Sequence, residues 1–274
     1  MPADLHIHTK FSDGTQSPQE VVELAHQAGL TAIAITDHDV VAGIDEALQE
    51  GQRFGIEVIP GIELTTETQD TEIHILGYFI DHHDQVLNEA LAKIQKGRAE
   101  RILKICEKLK QLGVDLLPEK VFAIAGHEAA GRPHVARALL EEGFISTFKE
   151  AFNKYLKFNG PAYVAHYKLS PEEAIGLVIK AKGIPVFGHP AVSNCDQLIP
   201  DLVKAGLAGI EVHYLSHSNS QTRHYLNIAK ENKLLVTGGS DYHGLDSGRD
   251  VKLGDLTISD ELVEKIRNEY LHRN

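Results

Sequence analysis

Two imidazoles two residues apart, His6 and His8, sit in the opening stretch Asp4-Leu5-His6-Ile7-His8-Thr9, and Asp13 follows closely. In a strand, alternate side chains share a face, so both rings would point the same way. That pair is half of a metal site, and further nitrogen and oxygen donors recur down the chain: His38, Glu63, His74, His189, Asp241 and His243. A tetrahedral zinc takes about four ligands, so this donor set calls for two or three ions. A carboxylate such as Glu63 can bridge two of them, and mixed imidazole and carboxylate donors suit zinc, manganese or iron better than thiolate-seeking metals. Neither cysteine, Cys106 or Cys195, lies in a C-x-x-C pair or beside a histidine motif, and burial is expected for both.

The donors fall at the ends of elements that the sequence spells out. Ser17-Pro18-Gln19-Glu20 is a capping box with proline in the first turn, Val21, Leu24, Ala25 and Ala28 form an apolar face, and Gly29 closes the helix. Thr31 to Thr36 then reads as a strand covered on both sides and runs into Asp37-His38. The same order returns when Ser170-Pro171-Glu172-Glu173 starts a helix, Gly183 ends it, and Ile184 to Phe187 leads into His189. It returns again before His213 and before Asp241-Tyr242-His243. Two more strands fit between, Ile56 to Ile62 ending in Glu63 and Glu72 to Phe79 carrying His74. In parallel α/β barrels functional residues gather at the C-terminal ends of the strands, which gives this clustering a geometric reason. From about Asn88 to Ala165 the pattern turns helical. The expectation is an α/β barrel from residues 1–88 and 166–274, with a helical insertion over 89–165 lying across its mouth.

The chain has 274 residues, 42% hydrophobic and 24% charged, within the usual range for soluble globular proteins. No run of about 18 uninterrupted apolar residues marks a membrane span. Donors that begin at His6 occupy the place a signal peptide would need, so a cytoplasmic protein is expected. A formal charge of −12 speaks against nonspecific or long-duplex nucleic-acid binding. Bound cations can still attract an anionic substrate locally.

HIHTKFSDG, ITDHD, GIELT, EIHILGY, FGHP and GSDYHG, in this order and spacing, resemble the PHP (polymerase and histidinol phosphatase) family over nearly the whole chain. The segment GRPHVARALLEEG resembles the TrpH/YciV-like subgroup of stand-alone phosphoesterases. Members of that subgroup act as 3′,5′-nucleotide bisphosphate phosphatases and as 5′-to-3′ exoribonucleases on short RNA. The resemblance implies a distorted (β/α)7 barrel. It also implies one metal on His6, His8, Glu63 and Asp241, a second on Glu63, His74 and His189, and a third on Asp13, His38 and His243. Manganese is the first choice, with iron(II) or zinc as alternatives, at two or three ions per chain. Asp37 is expected to orient its neighbouring ligand rather than bind metal.

A bound divalent ion lowers the pKa of water from ~15.7 to ~7, so a bridging hydroxide can attack phosphorus without a serine or cysteine nucleophile. His189, Asp241 and His213 are the catalytic candidates; His189, His213 or a coordinated water can protonate the leaving alkoxide. Arg132-Pro133-His134 starts a helix whose N-terminus favours phosphate, so Arg132, His134 and His213 are the expected substrate-binding groups. His127, His166, His217 and His224 read as surface or supporting residues, and Tyr163 and Tyr214 as packing or base-stacking rings. His82-His83-Asp84 and the run Arg98 to Lys110 read as solvated faces. The expected activity is metal-dependent hydrolysis of phosphate esters of nucleotides or short oligonucleotides. Histidinol-phosphate phosphatase is one alternative and a non-catalytic, metal-stabilised binding module another.

Overall fold

The computed structural model describes residues 2–68, 71–125, 130–165, 169–245, 247 and 250–273. Seven strands, each hydrogen-bonded to the next in chain order, make a barrel wall: β1 (Pro2–Ile7), β2 (Ala32–Ile35), β3 (Glu57–Glu67), β4 (Glu72–Tyr78), β5 (Ile184–Phe187), β6 (Gly209–Tyr214) and β7 (Leu235–Gly239). The two-residue β8 (Ile258–Ser259) pairs antiparallel with β1, completing an eight-stranded, nearly closed α/β barrel. A bridge from Ile7 to Tyr242 draws the two ends of the sheet together. There, a Cβ on Gly239 would lie 2.4 Å from the His6 backbone nitrogen, so the seam requires glycine.

The wall departs from a parallel barrel at β4, which runs antiparallel to both β3 and β5. This reversal puts the N-terminal end of β4 at the mouth, so His74 arrives there opposite Thr65. Glu63, expected just after a strand, lies within the longer β3.

Outside the wall pack α1 (Pro18–Gln27), α2 (Ile44–Phe54), α7 (Pro171–Lys180), α8 (Pro190–Ser193), α9 (Ile199–Lys204), α10 (Asn219–Asn232) and α11 (Asp260–Arg273). Capping boxes at Ser17/Glu20 and Ser170/Glu173 start α1 and α7 as expected, each stabilising its helix by about 1 kcal/mol. Val21, Val22 and Ala25 of α1 are fully buried against Ile33 and Ile35 of β2. Burial of such side chains contributes roughly 1.5–3 kcal/mol for each valine or isoleucine.

Between β4 and β5 come α3 (Gln85–Gln111), α4 (Pro118–Ala125), α5 (Arg132–Glu141) and α6 (Phe148–Ala151), followed by a π-helical turn over Phe152–Leu156. They pack around a hydrophobic cluster of their own that includes Ile102, Ile105, Leu109, Val121, Val135 and Leu139. Both cysteines are buried and neither is in a disulfide, and burial pushes the Cys106 thiol up to about 11. Among the described residues no helix is long and apolar enough to cross a membrane.

Two strands carry register shifts. In β1 the shift falls between Asp4 and Ile7. The Asp4 carboxylate accepts hydrogen bonds from the backbone N–H groups of His6 (3.3 Å) and Ser240 (2.9 Å), next to the irregularity. In β6, Glu211 pairs with Thr237 but His213 pairs with Gly238, so Val212 is an extra residue. One inserted residue moves everything beyond it to the opposite face. Glu211 and Tyr214 therefore face the barrel interior, and His213 turns away.

Candidate metal centre

The structure brings together all nine donor side chains singled out in the sequence. Five imidazole nitrogens surround one carboxylate. Glu63 Oε2 lies 3.2 Å from His6 Nε2, 3.0 Å from His8 Nε2 and 3.3 Å from His38 Nδ1. Glu63 Oε1 lies 2.6 Å from His74 Nδ1 and 3.0 Å from His189 Nε2. Asp241 Oδ1 lies 3.4 Å from His6 Nε2 and 3.1 Å from His8 Nε2, while Asp13 Oδ1 is 3.2 Å from His243 Nε2. Glu63 is 1% exposed and His6 and His8 are fully buried, so water does not satisfy these atoms.

A carboxylate offers about four lone-pair sites, fewer than the nitrogens that converge on Glu63. The spacing matches a different use. Two donors about 2.1 Å from one ion, at about 90–110° to each other, lie roughly 3.0–3.4 Å apart. The donor groups that could each hold an ion are His6, His8, Glu63 and Asp241; His8, Asp13, His38 and His243; and His38, Glu63 and His74, with His189 beside the last on Glu63 Oε1. His8 and His38 each belong to two of these groups, which differs from the strict partition that the family resemblance implied.

Electrostatics follow from burial and proximity. Burial alone would lower the His8 and His74 rings, but the adjacent carboxylates outweigh it and hold both at about 9. Burial works the other way on Glu63 and Asp13, yet the surrounding imidazoles keep both well below the usual carboxylate range. At His38 burial wins, and its ring is held well below its ordinary value. In the cation-free centre, protons on some of the rings balance the buried carboxylates.

Supporting residues orient the donors. Glu211, fully buried on β6, accepts from His6 Nδ1 at 2.9 Å and from the His189 backbone N–H at 2.7 Å. This fixes the His6 tautomer with Nε2 turned to the centre. The Tyr214 hydroxyl donates to Asp241 Oδ2 at 2.9 Å, and its ring lies 5.3 Å from that of His189. Neither role was read from the sequence, although Glu211 ends a hydrophobic run as the other donors do. Asp37 does not hold His38: it accepts from the Thr9 N–H (2.7 Å) and hydroxyl and from the Ser12 hydroxyl (2.6 Å), bracing the loop that carries Asp13. His189 and Asp241 take left-handed backbone conformations, φ 27° and 55°, which cost about 1–3 kcal/mol each and persist only where surrounding contacts hold them.

The structure separates the residues expected to bind substrate: Arg132 and His134 line a cavity at the centre, and His213 does not. His213 makes no contact with the centre among the described residues; it is half-buried near His217, because the β6 bulge turns it outward. His134 does line the cavity beside Asp13, His38 and His74, but its Nδ1 accepts from the Gly131 N–H at 3.0 Å. Burial lowers its ring to about 4, which keeps it neutral. Arg132 lines the same cavity, donating to Glu72 Oε1 at 2.8 Å and to the Leu156 carbonyl.

The run beginning at Arg98, expected to be solvated, instead sends two buried guanidinium groups into this cavity. Arg98 pairs with the fully buried Asp39 and donates to Thr65 Oγ1 at 3.0 Å. Arg101 donates to the Val164 carbonyl at 2.6 Å and lies over the Tyr163 ring, while its buried Nη2 has no hydrogen-bond partner among the described residues. Their spacing of three residues along a helix was the available signal. Tyr163 donates to Glu67 and serves packing. His217 bonds the Val212 carbonyl, His224 pairs with Asp196, and His82 and His83 lie at Asp45, all outside the centre. His127 and His166 lie outside the described residues.

A family model described as PHP domain matches residues 4–165. The chain belongs to the PHP domain family. Among curated PHP relatives, a 3′,5′-nucleoside bisphosphate phosphatase of Chromobacterium violaceum is 33% identical over 255 residues, 90% of each chain. A 5′-3′ exoribonuclease of Escherichia coli is 32% identical over 88% of this chain and 84% of its own. Among solved structures, a protein from Bifidobacterium adolescentis assigned as a metal-dependent phosphoesterase superposes with a TM-score of 0.89 at 32% identity, covering 99% of this chain and 96% of that one.

Proposed function

We propose that this PHP protein is a metal-dependent phosphoesterase that hydrolyses phosphate esters of nucleotides or short oligonucleotides. The observation that carries the reading is the crowding of five imidazoles on the single Glu63 carboxylate at ion-bridging spacings. His6, His8, Asp13, His38, Glu63, His74, His189, Asp241 and His243 would hold two or three divalent cations. Manganese is the preferred ion, and iron(II) or zinc share its taste for nitrogen and oxygen donors. Such ions supply an acidified water and positive charge for the phosphoryl oxygens.

The protein's own residues do the rest. Glu211 and Tyr214 hold His6 and Asp241 in register. The cavity lined by Arg98, Arg101 and Arg132 next to Asp13, His38 and His74 offers a substrate phosphate a concentrated positive field. Of these, Arg101 brings a buried N–H group without a partner among the described residues, whose desolvation an anion would repay. Residues 89–165 act as the substrate-capping unit, since α3 and α5 carry these guanidinium groups to the barrel mouth. His189 and Asp241 remain the catalytic candidates facing the centre.

The relatives act on a nucleoside bisphosphate in one case and on RNA in another. Phosphate release from 3′,5′-adenosine bisphosphate by manganese-loaded protein, against histidinol phosphate, tests the proposal. Preference for the nucleotide is expected; preference for histidinol phosphate would overturn the substrate class. Hydrolysis of neither would favour a non-catalytic metal-binding module.

A further inference from the structure

A second cavity, of about 300 Å³, opens beside the centre between β6 and β7. Its walls are Tyr214, Leu215, Ser216, Ser240, Asp241 and Val251. Asp241 joins it to the centre, and it shares no lining residue with the arginine cavity. In a seven-strand wall numbered in chain order, β6 and β7 lie across the mouth from β3 and β4, which border the arginine cavity. The two cavities therefore flank the centre from opposite sides.

Their chemistry differs as sharply as their position. Three guanidinium groups line the first, while among the described residues the second has no lysine, arginine or histidine in its wall. Asp241 is the one carboxylate among the described residues of this wall, which brings no positive side chain to a second phosphate. Leu215, 40% exposed, Val251 and the Tyr214 ring offer an apolar surface, and Ser216 and Ser240 add neutral hydroxyls. About 300 Å³ is at the lower end of cavities that hold a small organic ligand. A neutral group with an apolar flat part and several hydroxyls fits this wall; a nucleoside is such a group.

We propose that this cavity is the subsite for the nucleoside on the far side of the scissile phosphate in a phosphodiester substrate. The inference rests on the phosphoesterase reading above. A terminal phosphate would lie against the arginines, the scissile phosphorus at the centre, and the next nucleoside against Tyr214, Leu215 and Val251. Hydrolysis joins the oxygen of water to phosphorus and breaks the bond from phosphorus to the 3′-oxygen of the nucleoside on the arginine side, the same bond that breaks in the bisphosphate, so the nucleoside in the cavity leaves with the phosphate on its 5′-oxygen. The departing oxygen takes one proton of the water. A mononucleoside bisphosphate fills only the arginine side and the centre, whereas a 5′-phosphorylated dinucleotide fills both cavities.

The test is the ratio of kcat/KM for a 5′-phosphorylated diadenosine nucleotide to that for 3′,5′-adenosine bisphosphate, in wild type and in Leu215→Ser/Val251→Ser. Loss of these apolar contacts should lower the ratio by about tenfold. Isothermal titration of manganese-loaded protein with adenosine should show binding that the double variant weakens. An unchanged ratio with unchanged adenosine binding overturns the subsite. Should wild type hydrolyse neither substrate, the phosphoesterase reading fails, and the adenosine titration still decides whether the cavity takes a nucleoside.

Discussion

At Glu63 the chain has concentrated more nitrogen donors than a carboxylate can use as a simple hydrogen-bond acceptor, and this dictates how protons and cations compete there. Without cations, the carboxylates hold His8 and His74 at about 9, so both rings carry protons at neutral pH. A ligand nitrogen must be neutral, so cation binding has to release these protons. Manganese affinity is therefore expected to rise between pH 6.5 and 9. Titrations in buffers of different ionisation enthalpy should show net proton release at pH 7; no release would contradict the assignment of these rings as ligands. The sign for stability is the reverse in the cation-free protein. Raised histidine pKa values contribute stability that is fully present below about 6.5 and is lost as pH climbs through about 9, so the midpoint of chemical denaturation should fall across that window. Among the donors themselves, Asp13→Ala should cut kcat by at least about 100-fold while far-UV circular dichroism keeps its wild-type shape, since Asp13 lies in a turn and not in a strand of the wall.

Elements aim these residues, and two irregular strands decide which side chains reach the centre. Val212 is one residue too many in β6, so Tyr214 rather than His213 joins Glu211 on the inner face. Helix α3 contributes its guanidinium groups because Arg98 is anchored by Asp39 at the end of β2. That pair is buried, and Arg98→Ala would leave an uncompensated charge at a cost of about 3–5 kcal/mol. Urea denaturation should report a loss of this size, and a loss below about 1 kcal/mol would mean that Asp39 finds another partner or water. At the barrel seam, Gly239→Ala would drive a methyl group into the His6 backbone. Both stability and manganese binding should fall together, because the same displacement opens the seam and moves a donor.

Over the whole molecule, a formal charge of −12 surrounds a centre built from buried carboxylates and imidazoles, so the positive field for a phosphate would be local, from the arginines above the barrel and the cations that the nine side chains would hold. The folded chain alone assembles the donors, and cations at about 100 times their dissociation constant should add about 2.7 kcal/mol per independent site to stability. Chelation should reverse this; a melting temperature indifferent to manganese and to chelator would count against the centre.

Much of this was legible in the sequence. The donor types, the two capping boxes, the repeat of helix, glycine, strand and donor, and the motif series all depend on residue identity and spacing over short stretches, where local chemistry dictates the outcome. From these the sequence by itself determined the barrel, the family and the nine side chains that meet at the centre. It did not determine that β4 runs antiparallel and so brings His74 to the mouth, that His213 faces away, or that Arg98 and Arg101 are buried. Strand direction and a one-residue bulge are settled by pairing with distant neighbours, and a helix face becomes buried only when another element covers it. The tertiary structure alone decided those, because register and burial are properties of contacts between segments far apart in the chain.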